Sequence, residues 1–162
     1  MRLRTATRAD AAAIAAIWNR VIRETAITFN SIEKTPDDIA ALIEEKAAAD
    51  LPFLVAAARA VPVGFATYGQ FRGGAGYART MEHTVILAPG ATGRGTGRRL
   101  MAALEAHARA RGVHSMWAGI SAGNPGAVAF HTAIGYAHAA TLPDVGWKFG
   151  RFHDLVLMRK TL

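Results

Sequence analysis

Residues 87–97 read Leu-Ala-Pro-Gly-Ala-Thr-Gly-Arg-Gly-Thr-Gly and are the most informative stretch of the chain. The β-branched run Thr84-Val85-Ile86 precedes them and predicts a strand. An alanine-rich segment with apolar residues at helical spacing follows them and ends at Gly112. A strand, a glycine loop and a helix in this order are typical of a phosphate site. Glycines let backbone N–H groups converge on an anion, and the helix start adds about half a positive charge.

Two common phosphate motifs do not fit this loop. A P-loop has Lys and then Ser or Thr after its last glycine, whereas Gly97 is followed by Arg98 and Arg99. A dinucleotide fingerprint needs the spacing G-x-G-x-x-G, whereas Gly93, Gly95 and Gly97 recur at every second residue. A glycine turn that only caps a helix therefore stays open as the alternative.

Composition narrows the class of protein. A chain of 162 residues with 51% hydrophobic and 19% charged residues predicts one soluble globular domain, residues 1–162. No apolar run approaches the roughly 20 residues of a membrane span, and charged residues interrupt the N-terminal segment. We therefore expect no membrane contact and a cytoplasmic location. The absence of cysteine excludes a disulfide framework and a thiolate nucleophile.

Positive charge is spread along the chain. The formal net charge is +7, from 19 Lys and Arg against 12 Asp and Glu, with no long basic block. Nucleic-acid binding favours clustered basic residues, so we expect no nucleic-acid partner. A polyanionic small molecule would need only a few of these charges.

The order of elements predicts an α/β (α+β) fold. The chain reads strand, two helices, three strands, helix, strand, helix and two strands, without a linker or repeat. Residues 77–87 are long enough for a central strand, which would place Glu82 on one face and His83 on the other. The last two strands are predicted at residues 136–142 and 153–158.

Several further motifs occur in a fixed order along the chain. They are Arg72, Glu82-His83-x-Val85, Gly95-x-Gly97, Gly119-Ile120-x-x-x-Asn124, Phe130-His131-x-x-x-Gly135-Tyr136 and Val145-Gly146-x-Lys148-Phe149-Gly150-Arg151. From residue 10 to residue 157 the chain resembles the GNAT-superfamily N-acetyltransferases. More narrowly, it is similar to the phosphinothricin and methionine sulfone or sulfoximine acetyltransferase group. The resemblance implies a GNAT fold: a mixed, mostly antiparallel twisted sheet, flanked by helices and splayed at its central strands.

The resemblance also implies acetyl-coenzyme A (acetyl-CoA) as co-substrate. Thr92 stands where the family has Arg or Gln, which removes one expected side-chain donor but leaves the backbone cradle. Asn124 caps a helix by its residue type, and the resemblance adds a hydrogen bond to the cofactor. The implied cofactor-binding residues are Val85, Ile86, Leu87, Gly93, Arg94, Gly95, Thr96, Gly97, Arg98 and Asn124.

Acetyl transfer to an amine requires a base, because an ammonium group has no lone pair. Glu82 is our candidate, acting directly or through a water, and burial in its strand would raise its pKa. The alternative is a carboxylate that only pairs with an arginine. His131 is the candidate acid for the leaving thiolate, by resemblance, whereas His83 is expected to be a core histidine.

An amino-acid acceptor carries a carboxylate that needs a cationic partner. Arg72 is the predicted anion anchor, and Lys148 and Arg151 are further candidates. Phe29 is either a pocket aromatic or a core residue under a loop. The full set of predicted acceptor-binding residues is Phe29, Arg72, Ala75, Gly76, Tyr77 and Lys148.

These residues together predict an N-acetyltransferase. The expected acceptor is the α-amino group of a small amino acid or analogue, acetylated directly in a ternary complex without a metal. The resemblance also implies a homodimer. Three alternatives remain: a non-catalytic coenzyme A-binding module, an acetyltransferase for a protein N-terminus or a polyamine, and an RNA-linked role. A polyamine site would favour clustered acidic residues, which the predicted pocket stretches lack.

Overall fold

The computed structural model describes residues 1–162 as seven strands and four α-helices. The strands are β1 (Arg2–Thr5), β2 (Phe53–Ala58), β3 (Val61–Gln70), β4 (Thr80–Leu87), β5 (Ser115–Ser121), β6 (Ala137–Lys148) and β7 (Arg151–Thr161). The helices are α1 (Ala11–Glu24), α2 (Pro36–Ala48), α3 (Thr96–Ala110) and α4 (Pro125–Ala133). Short 3₁₀ turns lie at Arg8–Asp10, Ala75–Tyr77 and Pro89–Ala91. None of the helices combines the length and apolar character needed to cross a membrane.

All seven strands form one sheet in the order β1-β2-β3-β4-β5-β7-β6. Every neighbouring pair is antiparallel except β4 and β5, which run parallel. These two strands pair only from Thr80 opposite Ser115 to Glu82 opposite Trp117. Beyond Glu82 they diverge and leave a cleft in the middle of the sheet. The predicted mixed sheet with splayed central strands is therefore confirmed.

The helices cover the two faces of the sheet and form two apolar clusters. One cluster includes Leu100 and Leu104 of α3, and the other includes Ile14 of α1 and Ile39 of α2. All four side chains are fully buried, which stabilises the fold by roughly 1.5 to 3 kcal/mol for each side chain. The predicted alternation of β4 is confirmed, because His83 is buried on the face covered by α3 and α4.

Carboxylates cap two helical N-termini, that of α2 and that of the 3₁₀ turn at Arg8–Asp10. Asp38 accepts a hydrogen bond from the Thr35 backbone N–H at 2.7 Å, and Thr35 Oγ1 accepts one from the Asp38 N–H. This capping box starts α2. Asp10, only 5% exposed, accepts two bonds of 2.7 Å from the Arg4 guanidinium. Arg4 and the Thr7 N–H lower the pKa of Asp10 to about 2.

The C-terminal hairpin is longer than the sequence predicted. The predicted strands ended at residues 142 and 158, whereas β6 extends to Lys148 and β7 runs from Arg151 to Thr161. Pro143 is tolerated because β6 is an edge strand, and a register shift between Leu142 and Gly146 absorbs the irregularity. Phe149 and Gly150, both at positive φ, form the two-residue turn.

Candidate active site

The glycine loop presents a set of free backbone donors. Gly93 (φ 71°) and Gly95 (φ 74°) adopt left-handed conformations that favour glycine. The backbone N–H groups of residues 93–98 have no hydrogen-bond partner within the chain. Because α3 begins at Thr96, the positive end of its dipole lies at the same place. The loop therefore has the donors and the field that a diphosphate needs.

Side chains around the loop differ in their availability. The Thr92 hydroxyl donates to the Pro89 carbonyl at 2.8 Å, so it closes the turn. A Cβ at Gly97 would lie 3.2 Å from the Phe130 ring, so glycine here allows α3 to approach α4 closely. Arg94 and Arg98 are exposed and free for an anion.

The cleft between β4 and β5 leads from this loop toward the middle of the sheet. The three residues at the end of β4 pair with β3 on one edge and have no strand partner on the edge facing β5; they are Val85, Ile86 and Leu87. An extended ligand with amide groups could bond to this free edge as a strand does. Asn124 follows shortly after β5 in the chain and starts α4. Its side-chain oxygen accepts a hydrogen bond from the Ala127 N–H at 3.2 Å, which confirms its capping role.

Glu82 lies where the two strands part. Its Oε2 is 3.5 Å from the position that a Cβ at Gly119 would occupy, so the carboxylate faces β5 beside a residue without a side chain. The Glu82 carboxylate takes part in none of the ion pairs or side-chain hydrogen bonds of the chain, so the alternative that it only pairs with an arginine is not observed. Although the residue is exposed on the open side, partial desolvation raises the pKa of Glu82.

An aromatic pair beside Glu82 was missed by the sequence analysis. Trp117 is the register partner of Glu82, and its ring centroid lies 5.1 Å from that of Phe71. The indole N–H of Trp117 donates to Ser115 Oγ at 3.2 Å, which holds the ring in place. Strand alternation alone puts Trp117 and Gly119 on one face, but the register that brings Trp117 to Glu82 is not visible in the sequence.

Arg72 lies on the ordered loop between β3 and β4. The side-chain amide of Gln70 donates to the carbonyls of Arg72 and Gly74, both at 2.6 Å, and folds the loop back. The Arg72 guanidinium is 5.8 Å from the centroid of the Tyr77 ring and forms no ion pair. Ala75, Gly76 and Tyr77 form a 3₁₀ turn and are exposed. The guanidinium is therefore free to bind an anion.

Lys148 does not fit the predicted role of a free anion anchor. It is only 3% exposed, and its Nζ donates to the carbonyls of Thr25 (2.6 Å) and Thr28 (2.9 Å). Burial lowers the pKa of Lys148. The ammonium group instead fastens the segment after α1 to β6.

Phe29 belongs to the same segment. Its ring stacks on His153 with centroids 5.6 Å apart, and a Cβ at Gly146 would collide with it. The ring therefore covers the β6–β7 hairpin, which favours the alternative of a residue packed under a loop.

His131 has both ring nitrogens engaged. Its Nδ1 lies 2.7 Å from the Ala127 carbonyl, and its Nε2 lies 3.2 Å from Nε2 of His83. Burial lowers the pKa of His131. Nothing in this arrangement offers a proton to a ligand, so the acid role stays a prediction. His83 is buried as expected, yet its Nδ1 has no partner.

Known proteins share both the sequence and the fold. The acetyltransferase (GNAT) family model matches residues 18–136. The chain is 38% identical to the L-amino acid N-acyltransferase MnaT of Escherichia coli over 162 residues, covering 100% of this chain and 94% of that protein. It is 36% identical to the L-methionine sulfoximine/L-methionine sulfone acetyltransferase of Salmonella typhimurium, covering 100% of this chain and 95% of that protein.

A solved structure agrees with these relatives. The crystal structure of a GNAT-superfamily phosphinothricin acetyltransferase from Sinorhizobium meliloti in complex with acetyl-CoA is similar at a TM-score of 0.94. The two chains are 27% identical, and the match covers 99% of this chain and 88% of that one. With its free donor loop, its splayed cleft and these relatives over nearly its whole length, the chain belongs to the acetyltransferase (GNAT) family.

Proposed function

We propose that this protein transfers the acetyl group of acetyl-CoA to the α-amino group of a small amino acid or analogue. Analogues of the methionine sulfone, methionine sulfoximine or phosphinothricin type are the expected class, because the relatives act on such acceptors. Acetyl-CoA is the donor used by the family, as predicted. The observation that carries the proposal is the unpaired, partly desolvated carboxylate of Glu82 at the divergence of β4 and β5.

The residues present fit acetyl-CoA, which when bound supplies an activated thioester. The free N–H groups of residues 93–98 would hold its diphosphate, with Arg98 as a side-chain partner. The unpaired edge of residues 85–87 would bond the amides of its pantetheine arm and donate an N–H to the developing oxyanion. The side-chain amide N–H of Asn124 has no partner in the chain and is a further donor.

Glu82 would act as the base. An α-amino group has a pKa near 8, so much of it is protonated at neutral pH. A carboxylate whose pKa is raised takes that proton more readily, and a positioned base contributes about 10²- to 10⁴-fold. We infer direct transfer in a ternary complex, and the absence of cysteine excludes an acetyl-cysteine intermediate.

The acceptor would lie between Arg72 and the aromatic pair. The Arg72 guanidinium fork matches the geometry of a carboxylate. The rings of Phe71 and Trp117 offer an apolar wall beside the base for the acceptor's side chain.

We also propose that the chain, as one domain of residues 1–162, forms a homodimer. Five large apolar side chains are exposed on the β6–β7 hairpin: Leu142, Val145, Trp147, Phe149 and Phe152. The Trp147 and Phe152 rings meet edge to face, 4.8 Å apart. A clustered apolar surface on an edge strand is typical of an interface.

A cytoplasmic location also stays a prediction.

The test has two arms. Titration calorimetry measures acetyl-CoA binding, and thiol release measures turnover on a panel of L-amino acids, methionine sulfone, methionine sulfoximine, phosphinothricin, a short peptide and spermidine. We expect binding, and turnover with the amino acids or their analogues. Binding without turnover would identify a non-catalytic module, and turnover only with peptide or spermidine would overturn the acceptor class. No acetyl-CoA binding would overturn the proposal entirely.

A further inference from the structure

Two histidines form a buried contact between β4 and α4; we call them the histidine pair. His83 is the first residue of β4 beyond its pairing with β5, and His131 lies near the end of α4. Their rings stack with centroids 5.1 Å apart and an interplanar angle of 17°, and the two Nε2 atoms are 3.2 Å apart. The residues are 8% and 4% exposed, so water cannot replace this contact.

The position of the protons follows from the partners. The Ala127 carbonyl, 2.7 Å from His131 Nδ1, can only accept, so Nδ1 carries the hydrogen. In a neutral ring, Nε2 of His131 is then an acceptor, and a bond between two Nε2 atoms needs one hydrogen between them. His83 therefore donates through its Nε2–H. Its own Nδ1 is then a lone pair, and this buried atom has no partner.

Burial keeps both rings of the histidine pair neutral. Tyr136 lies edge-on to both rings, at centroid distances of 5.7 and 5.2 Å. Burial lowers the pKa of His131, and the Ala127 carbonyl and, to a smaller extent, Glu105 of α3 oppose it. The Oε2 atom of Glu105 is itself held by Lys160 (2.6 Å) and Arg109 (3.4 Å). Burial dominates for both rings, and it lowers the pKa of His83 to about 3. Both rings are therefore neutral at pH 7.

We infer that His83 is a positioning residue that acts through His131: its Nε2–H donates to the ring nitrogen that the Ala127 bond leaves as an acceptor, and this hydrogen bond fastens β4 to α4 beside the cleft. Asn124 starts α4, and Phe130 of the same helix packs on Gly97 at the donor loop. The contact thus sets the distance between the strand that carries Glu82 and the helix that borders the donor site. The consequence for catalysis rests on the proposed function, whereas the tautomer does not.

Histidine side-chain ¹⁵N spectra test the tautomer directly in the full chain. We expect Nδ1–H on His131 and Nε2–H on His83, with the pKa of both rings below the ordinary range of a histidine because both are buried. His83→Leu removes the donor, so the His131 Nε2 signal should shift to that of a lone pair without a hydrogen bond. His83→Gln supplies an amide N–H in its place and should restore the wild-type signal. His114→Leu, at an exposed histidine outside the site, is the matched control.

Kinetics test the positioning role. His83→Leu should raise the KM for acetyl-CoA roughly 3- to 10-fold, the size expected for one lost hydrogen bond. His83→Gln, which keeps a donor at this position, should restore the wild-type KM. A wild-type His131 that carries its hydrogen on Nε2 or titrates normally would overturn the inference, even if His83→Leu failed to fold. An unchanged KM for acetyl-CoA in folded His83→Leu would overturn the positioning role. Failure of the proposed function would show separately, as wild-type protein without turnover.

Discussion

Replacing Glu82 by Gln removes the proposed base and almost nothing else. Gln has the same shape, so the contact beside Gly119 is kept, and no ion pair or hydrogen bond is lost. Stability should change by less than about 0.5 kcal/mol. Turnover should fall about 10²- to 10⁴-fold, or about 3 to 5 kcal/mol of barrier. This separation between stability and rate is what the unpaired carboxylate predicts.

The assay is initial-rate thiol release against pH, with acetyl-CoA affinity and the thermal midpoint measured on the same preparations. Wild-type kcat/KM should rise with pH along a limb set by Glu82, above the ordinary range of a glutamate because its pKa is raised. The Gln variant should lose this limb and still bind acetyl-CoA. Glu45→Gln, at an exposed glutamate on α2, should behave as wild type. Unaltered turnover in Glu82→Gln would refute the reasoning.

Four further outcomes are expected. Arg72→Ala should raise the KM for amino acids far more than the KM for acetyl-CoA; equal effects would reject an acceptor anchor. Gly95→Ala forces a side chain into a left-handed conformation at about 1 kcal/mol and should weaken acetyl-CoA binding in calorimetry, unless the donor loop is not the binding site. Trp147→Glu should convert a dimer to a monomer in light scattering, whereas a wild-type monomer would remove the proposed interface. Because the pKa of Asp10 is lowered from 3.8 to about 2, its ionised carboxylate stabilises the fold by about 2 kcal/mol above pH 3.8, and this stabilisation is lost as the pH falls toward 2. Arg4→Ala should therefore lower the free energy of unfolding in urea by about that much at pH 7 and by little at pH 2. An equal loss at both pH values would contradict this expectation.

Local patterns predicted much of the fold. The order of elements and the alternation along β4 both depend on neighbouring residues, and the structure confirms them. The β6–β7 hairpin was predicted too short because Pro143 and Gly146 interrupt the strand pattern. An edge strand accepts both, and the edge position is a property of the sheet.

The site was harder to predict because its contacts are distant in sequence. Lys148 was a plausible anion anchor from its residue type, but the carbonyls that hold it lie at Thr25 and Thr28, more than a hundred residues away. The stacking of His83 on His131 likewise joins residues that are distant in the sequence. Sequence identified which groups have suitable chemistry, whereas only tertiary structure shows which of them are already occupied.

The two sides of the cleft between β4 and β5 would recognise their ligands with different kinds of groups. On the donor side of the proposed site, the groups offered belong to the main chain of residues 85–87 and 93–98, which most substitutions leave in place. On the acceptor side of the proposed site, they belong to side chains such as Arg72 and Trp117. Substitutions on the acceptor side would therefore change acceptor preference while the main-chain groups for acetyl-CoA stay in place.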